Sequence, residues 1–135
     1  MVVIGAGVVA FEFSHVFARL GTRVTILMRT GRALAGFDDD FSEHVVEFTR
    51  TLGVEFIPET KVTAVRQSNS ALRVEFTHAD GVASREADFV LNAAGRVAAV
   101  GDLNLEAAEV ETWRRGVVVD EFLRSRTNRR VFAGG

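Results

Sequence analysis

The opening of the chain limits its fold more than any other segment. Met1-Val2-Val3-Ile4 is a short apolar run, Gly5-Ala6-Gly7 follows at once, and Val8 to Leu20 is a largely apolar stretch stopped by Gly21. These segments read as a buried parallel strand, a tight turn and a helix. Arg23-Val24-Thr25-Ile26-Leu27-Met28 resumes immediately as a β-branched-rich second strand. So apolar a first helix expects cover on more than one face.

Gly5-Ala6-Gly7-Val8-Val9-Ala10 fits the pattern G-x-G-x-x-G/A, and the second strand ends about 20 residues further on, as a dinucleotide fingerprint requires. Gly5 would allow the tight turn and Gly7 the close approach of a pyrophosphate, while Ala10 would keep helix and sheet together. The phosphates would sit on the free N–H groups at the helix start, where the helix dipole favours negative charge. The competing reading is a strand-to-helix turn that holds no ligand.

Further along, Asp38-Asp39-Asp40 offers an N-cap and acids suited to a helix start. Phe41, Val45, Phe48 and Leu52 are spaced to share the buried face of that helix, and Gly53 ends it. Val54-Glu55-Phe56-Ile57 is a third strand closed by Pro58, completing one mononucleotide-binding half of a doubly wound sheet. The hydrophobic period then changes to two. Lys61 to Arg66 alternates, and Leu72, Val74 and Phe76 oppose Arg73, Glu75 and Thr77. With Asn69-Ser70 and Asp80-Gly81 as turns and Ala87 to Leu91 as the next strand, this segment reads as a three-stranded antiparallel meander replacing a crossover helix. Its end would feed the parallel sheet through Phe89 to Ala93. Gly116 to Val119 and Arg130 to Ala133 are the last expected strands. The expected fold is α/β, a Rossmann-type parallel sheet with helices on both faces and the inserted meander, in one domain spanning 1–135.

Composition excludes several chemistries within the chain. It has no cysteine and no tyrosine, so neither a thiol nucleophile nor a Tyr-Lys hydride-transfer dyad is available. A net charge of −2 gives no general field for nucleic acid, and no stretch is apolar enough to span a bilayer. A cytoplasmic location is expected.

The end of the second strand bears on which dinucleotide is bound. NAD sites place an acid there for the ribose 2′-hydroxyl, and NADP sites use Arg for the 2′-phosphate. Here Met28-Arg29-Thr30 follows Leu27, with no acid before Asp38. Arg29 is the candidate clamp, Thr30 a candidate hydroxyl donor and Arg32 a candidate helper. NADP is favoured over NAD, which stays open, as does an Arg29 that is merely a solvated loop residue.

The whole length resembles the central NAD(P)-binding domain of the FAD-dependent pyridine nucleotide-disulfide oxidoreductases, the family of glutathione reductase, lipoamide dehydrogenase and mercuric reductase. The resembling segments are residues 3–13, Gly31-Arg32-Ala33-Leu34 with Phe37-Asp38, Ala93-Ala94-Gly95-Arg96, Glu106-Ala107-Ala108, Val118-Val119-Asp120-Glu121 and Val131 to Gly135. The resemblance implies a cofactor loop from Gly5 to Glu12, with Glu12 near the flavin–nicotinamide junction. An acid in so apolar a helix is expected to need a partner. It also implies Val62 against adenine and the segment Ala93, Ala94 and Gly95 beside the cofactor. Met28 stands at the acid of NAD-dependent members and Arg29 at the first Arg of NADP-dependent ones, whereas Ala35 stands where glutathione reductase has a second Arg. Val8 stands where many members carry an aromatic gate, so no gate is carried over. His15, His44 and His78 match no catalytic position.

By this resemblance the chain is a domain cut from a longer, homodimeric enzyme. It would present NAD(P)H to FAD bound mainly elsewhere and would be inactive alone. The alternatives are a free-standing dinucleotide sensor, a domain of a ferredoxin reductase or NADH oxidase, a FAD-binding half and, last, a methyltransferase.

Overall fold

The computed structural model describes every residue except Arg115 and Gly135. The chain divides into two compact units, Met1–Gly95 and Arg96–Gly135.

The first unit begins with β1 (Val2–Ile4), α1 (Val8–Arg19), β2 (Thr25–Leu27), α2 (Asp39–Thr51) and β3 (Glu55–Ile57). β4 (Lys61–Ser68), β5 (Ala71–His78), β6 (Gly81–Ala87) and β7 (Val90–Asn92) follow. A parallel sheet runs in the order β3-β2-β1-β7, and β4-β5-β6 form a separate antiparallel sheet. Strand side chains alternate between faces, and the two cores show the alternation directly. Val3 and Ile26 pack with Ala10 and Phe11 of α1 and with Val45 and Val46 of α2. Val2 and Leu27 pack instead with Val74 and Phe76 of β5 and with Ala87 of β6.

The α/β class, the parallel sheet and the inserted meander are as expected from sequence; the cover of the second face is not helical. Both α-helices lie on one face, and the antiparallel sheet covers the other. The alternating Leu72, Val74 and Phe76 give β5 an apolar face, which serves as well as a helix would. The meander's third strand also differs in extent. It is Gly81–Ala87, and Val90–Asn92 is a separate strand paired in parallel with β1. β6 is an edge strand exposed at most positions, so its sequence carries little apolar alternation to reveal it.

α2 begins as its acids suggest. Asp38 caps it by accepting from the backbone N–H groups of Asp40 (3.1 Å) and Phe41 (3.4 Å). The expected face is buried only in part: Val45 and Leu52 pack against the core. Ser42 and Thr49 are buried, whereas Phe41 and Phe48 are about half exposed. Small residues fit the close approach because they satisfy their own hydroxyls: Ser42 Oγ donates to the Asp38 carbonyl (2.8 Å) and Thr49 Oγ1 to that of Val45 (2.6 Å). The two rings lie on the flanks, Phe41 against Phe37 and Phe48 against His15.

α1 buries Ala10, Phe11 and Ser14 and leaves an apolar stripe open, with Val9 50%, Phe13 45%, Val16 55% and Leu20 75% exposed. The expected second cover for this helix is not supplied within its unit. No helix among the described residues is long and apolar enough to cross a membrane.

The second unit is mostly irregular. Two short 3-10 helices (Gly101–Leu103 and Leu105–Ala108) precede a hairpin of β8 (Thr112–Trp113) and β9 (Gly116–Val117). The expected strand from 116 to 119 shortens to β9 plus a bridge between Val119 and Ser125, and the expected strand from 130 to 133 is a single bridge between Phe132 and Arg124. Asp120 organises the turn between them. Its Oδ1 accepts from the N–H groups of Phe122 (2.9 Å) and Arg124 (3.1 Å). Backbone donation from Arg124, then from Phe122, with the Arg124 side chain, holds the Asp120 carboxyl below the usual carboxylate range.

Candidate functional site

The carboxyl ends of the parallel strands and the turns leaving them enclose a cleft of about 510 Å³. In an open α/β sheet this is the edge where ligands bind. Its floor is the glycine turn. Gly5 has φ +108°, and a Cβ added there would lie 2.4 Å from the Ala93 carbonyl oxygen. Only glycine therefore lets this turn pass against the 93–94 backbone, which the Ala93 N–H to Ile4 carbonyl bond (2.8 Å) draws close. Gly7 differs. Its φ is −90°, and a Cβ there would meet nothing within 4 Å, so the bare side of Gly7 faces open space.

Gly7 is also the N-cap of α1. No side chain caps this helix, and its first turn contains no acid. Ala10 is fully buried and seats the helix on the sheet. Val8 and Val9, about half exposed, carry the first amides of the helix. These are among the N–H groups that have no partner within a helix.

Gly5, Ala6, Gly7, Arg29, Thr30, Val62, Ala93, Ala94 and Gly95 all line the cleft, bringing together residues far apart in sequence. Five expected positions do not line it: Val8, Val9 and Ala10, which follow the turn on α1, and Met28 and Glu12. Met28 is buried in the core on the helix side of the sheet and borders a smaller cavity of about 320 Å³ beneath the 31–33 loop. Glu12 is exposed on α1 and away from the cleft wall. An exposed carboxylate keeps its hydration, so the partner expected for a buried acid is not required.

The loop after β2 is pinned to the glycine turn by the Leu34 N–H to Ala6 carbonyl bond (2.8 Å). Thr30 Oγ1 donates to the Arg32 carbonyl (3.0 Å), so its proton is already engaged. Arg32 forms an ion pair with Asp39 and donates to the Phe37 carbonyl (2.7 Å). The Arg29 side chain has no hydrogen bond or ion pair among the described residues. Sequence reasoning did not single out Lys61 or Thr60 as wall residues, yet both line the cleft. The available signal was their place just after the third parallel strand, where such clefts gather side chains. No cluster of His, Cys, Asp and Glu able to hold a metal ion occurs among the described residues.

His15, which matches no catalytic position, joins the helices instead. Its Nε2 lies 2.6 Å from Thr49 Oγ1. Because that hydroxyl donates to the Val45 carbonyl, it accepts from His15. Burial, and secondarily the Arg19 charge, lowers the His15 pKa from its ordinary value.

The family described as pyridine nucleotide-disulphide oxidoreductase matches residues 1–135. A mercuric reductase of Streptomyces lividans is 35% identical over all of this chain and 28% of its own length. An HOCl-induced flavoprotein disulfide reductase from Escherichia coli superposes with a TM-score of 0.76 at 29% identity, covering 95% of this chain and 28% of that one. An engineered water-forming NADPH oxidase bound to NADPH gives a TM-score of 0.72 at 25% identity, covering 92% of this chain and 26% of that one. The chain thus spans about a quarter of the length of these oxidoreductases. With a full-length family match and a shared fold, the chain belongs to the pyridine nucleotide-disulphide oxidoreductase family.

Proposed function

We propose that this chain binds a nicotinamide dinucleotide across the cleft and, within a longer homodimeric flavoprotein, presents reduced nicotinamide to FAD. The observation that carries this reading is the uncapped start of α1 at the cleft floor, where Gly7 is bare and no acid competes. In this reading the diphosphate accepts from the first amides of α1, and the helix dipole adds to the attraction. Val62 meets adenine, and the Ala93-Ala94-Gly95 segment passes beside the cofactor. Bound FAD supplies the hydride acceptor; this chain's residues bind, orient and shield the donor. The open apolar stripe of α1 fits a domain that packs against other parts of such a protein.

NADPH is the proposed form. Among the described residues the Arg29 side chain on the cleft wall has no partner, and none that lines the wall carries a carboxylate to repel a phosphate. The engineered NADPH oxidase adds a parallel. Its five substitutions introduce Ala, then Ala, Arg, Ser and Arg at 18, 19, 20 and 25 residues beyond the first. Laid from Ala10, the same spacing falls on Met28, Arg29, Thr30 and Ala35. This chain matches the pattern at Ala10 and Arg29, has a non-acid at Met28 and a hydroxyl at Thr30, and departs from it at Ala35.

Calorimetric titration with NADPH and NADH tests the reading. Replacing Arg29 by Ala should weaken NADPH alone by about ten- to hundredfold, since a hydrogen bond to a charged group is worth about 1.5–3 kcal/mol. Equal losses for both nucleotides, or none, would reject the clamp.

A further inference from the structure

We infer that Lys61 is a second determinant of phosphate specificity, forming with Arg29 a two-cation seat for the 2′-phosphate of the dinucleotide. This inference rests on the reading that the cleft takes a dinucleotide. Arg29 and Lys61 are far apart in sequence, but the residues just before them are stapled together. The backbone N–H of Thr60 donates to the Met28 carbonyl at 2.8 Å, and Thr60 Oγ1 donates to the same oxygen at 3.0 Å. Thr60 is buried, so the staple is shielded from competing water. Arg29 and Lys61 therefore leave neighbouring points on the backbone, and both line the cleft.

The charge balance of the wall makes the pair stand out. Arg29, Arg32 and Lys61 line it, and among the described residues no Asp or Glu does. Arg32 is occupied by Asp39 and the Phe37 carbonyl. The Lys61 side chain, like that of Arg29, has no hydrogen bond or ion pair among the described residues. The neighbouring acid Glu59 turns toward Gly31, where its Oε1 would lie 3.9 Å from an added Cβ. Gly31 borders the smaller cavity, not this cleft. Ala35 lines the cleft without a charge, so Lys61 can supply from the start of β4 a cation that position 35 lacks. The bulge between Val62 and Ala64 breaks the β4 register next to Lys61, and bulges of this kind re-aim the side chains beside them.

The test is a calorimetric titration of the full chain and of Lys61→Gln, Lys61→Arg and Arg29→Ala with NADPH and NADH. Lys61→Gln should weaken NADPH about tenfold and leave NADH within about twofold, as expected for loss of one charge-assisted contact to phosphate. Lys61→Arg should recover most of the NADPH affinity, which a purely structural role for the stem would not require. Titration with adenosine 2′,5′-bisphosphate against 5′-AMP should show the same discrimination without a nicotinamide. Equal weakening of both nucleotides by Lys61→Gln, or no weakening, would overturn the two-cation seat while the dinucleotide reading survives. A wild-type chain that binds neither nucleotide would overturn both.

Discussion

The two α-helices begin in opposite ways. α2 opens on Asp38, whose carboxylate accepts from two of the helix's own amides, with Asp39 and Asp40 adding negative charge to the first turn. α1 opens on Gly7, with no side-chain cap and no acid in its first turn. Both pack on the same face of one sheet. The cost to stability of a glycine cap is only a few tenths of a kcal/mol relative to a polar one, so the difference concerns what the amides are left to bind. One helix start is chemically closed, and the other is open onto a cleft. The same chain can thus make a purely structural helix start and one suited to an external anion, and one side chain decides between them.

The glycine turn gives the largest expected effect on this comparison. Gly5→Ala forces a Cβ onto the Ala93 carbonyl at a backbone angle that side chains rarely adopt. It should destabilise the fold by about 3 kcal/mol or more, read as a lower denaturant midpoint. Gly7→Asp meets no steric obstacle and would close α1 in the manner of α2. Stability should hold or rise, while affinity for NADPH and NADH alike falls at least about tenfold, about 1.4 kcal/mol. Unchanged affinity in calorimetry would break the contrast between the helices.

On the other side of the comparison, Asp38→Ala removes a cap that serves only α2. Chemical denaturation should show a loss of about 1 kcal/mol, with dinucleotide affinity unaltered. The smallest effect lies where the helices meet. Because His15 is held below its ordinary value of 6.5 when folded, the unfolded chain takes up a proton first as pH falls. Its contribution is complete above about 6.5 and is lost progressively down to the depressed folded value. His15→Gln should flatten the pH dependence of the unfolding midpoint in that window, and an unchanged slope would show that the histidine is not responsible.

Much of this contrast was legible in the sequence. Asp38 announces its cap, and Gly5, Gly7 and Ala10 announce a turn that must lie flat against its neighbours. The buried face of α2 was partly hidden because Ser42 and Thr49 look polar, and their internal hydrogen bonds become visible only in three dimensions. The partner expected for Glu12 is not needed for a related reason: its neighbours in sequence are apolar, but the helix turns it to solvent. β6 went unread because an exposed edge strand needs no apolar face. Lys61 is marked in sequence only by its place just after the third strand; that it leaves the backbone near Arg29 depends on a bond between Thr60 and Met28.

The most direct test is to follow backbone amide resonances as NADPH is added. The amides of Gly7, Val8 and Val9 should shift strongly and saturate together, while those of Asp40 and Phe41, already bonded to Asp38, stay in place. Saturable binding that moves neither glycine-turn nor α1 amides would contradict an anion docked at the open helix start.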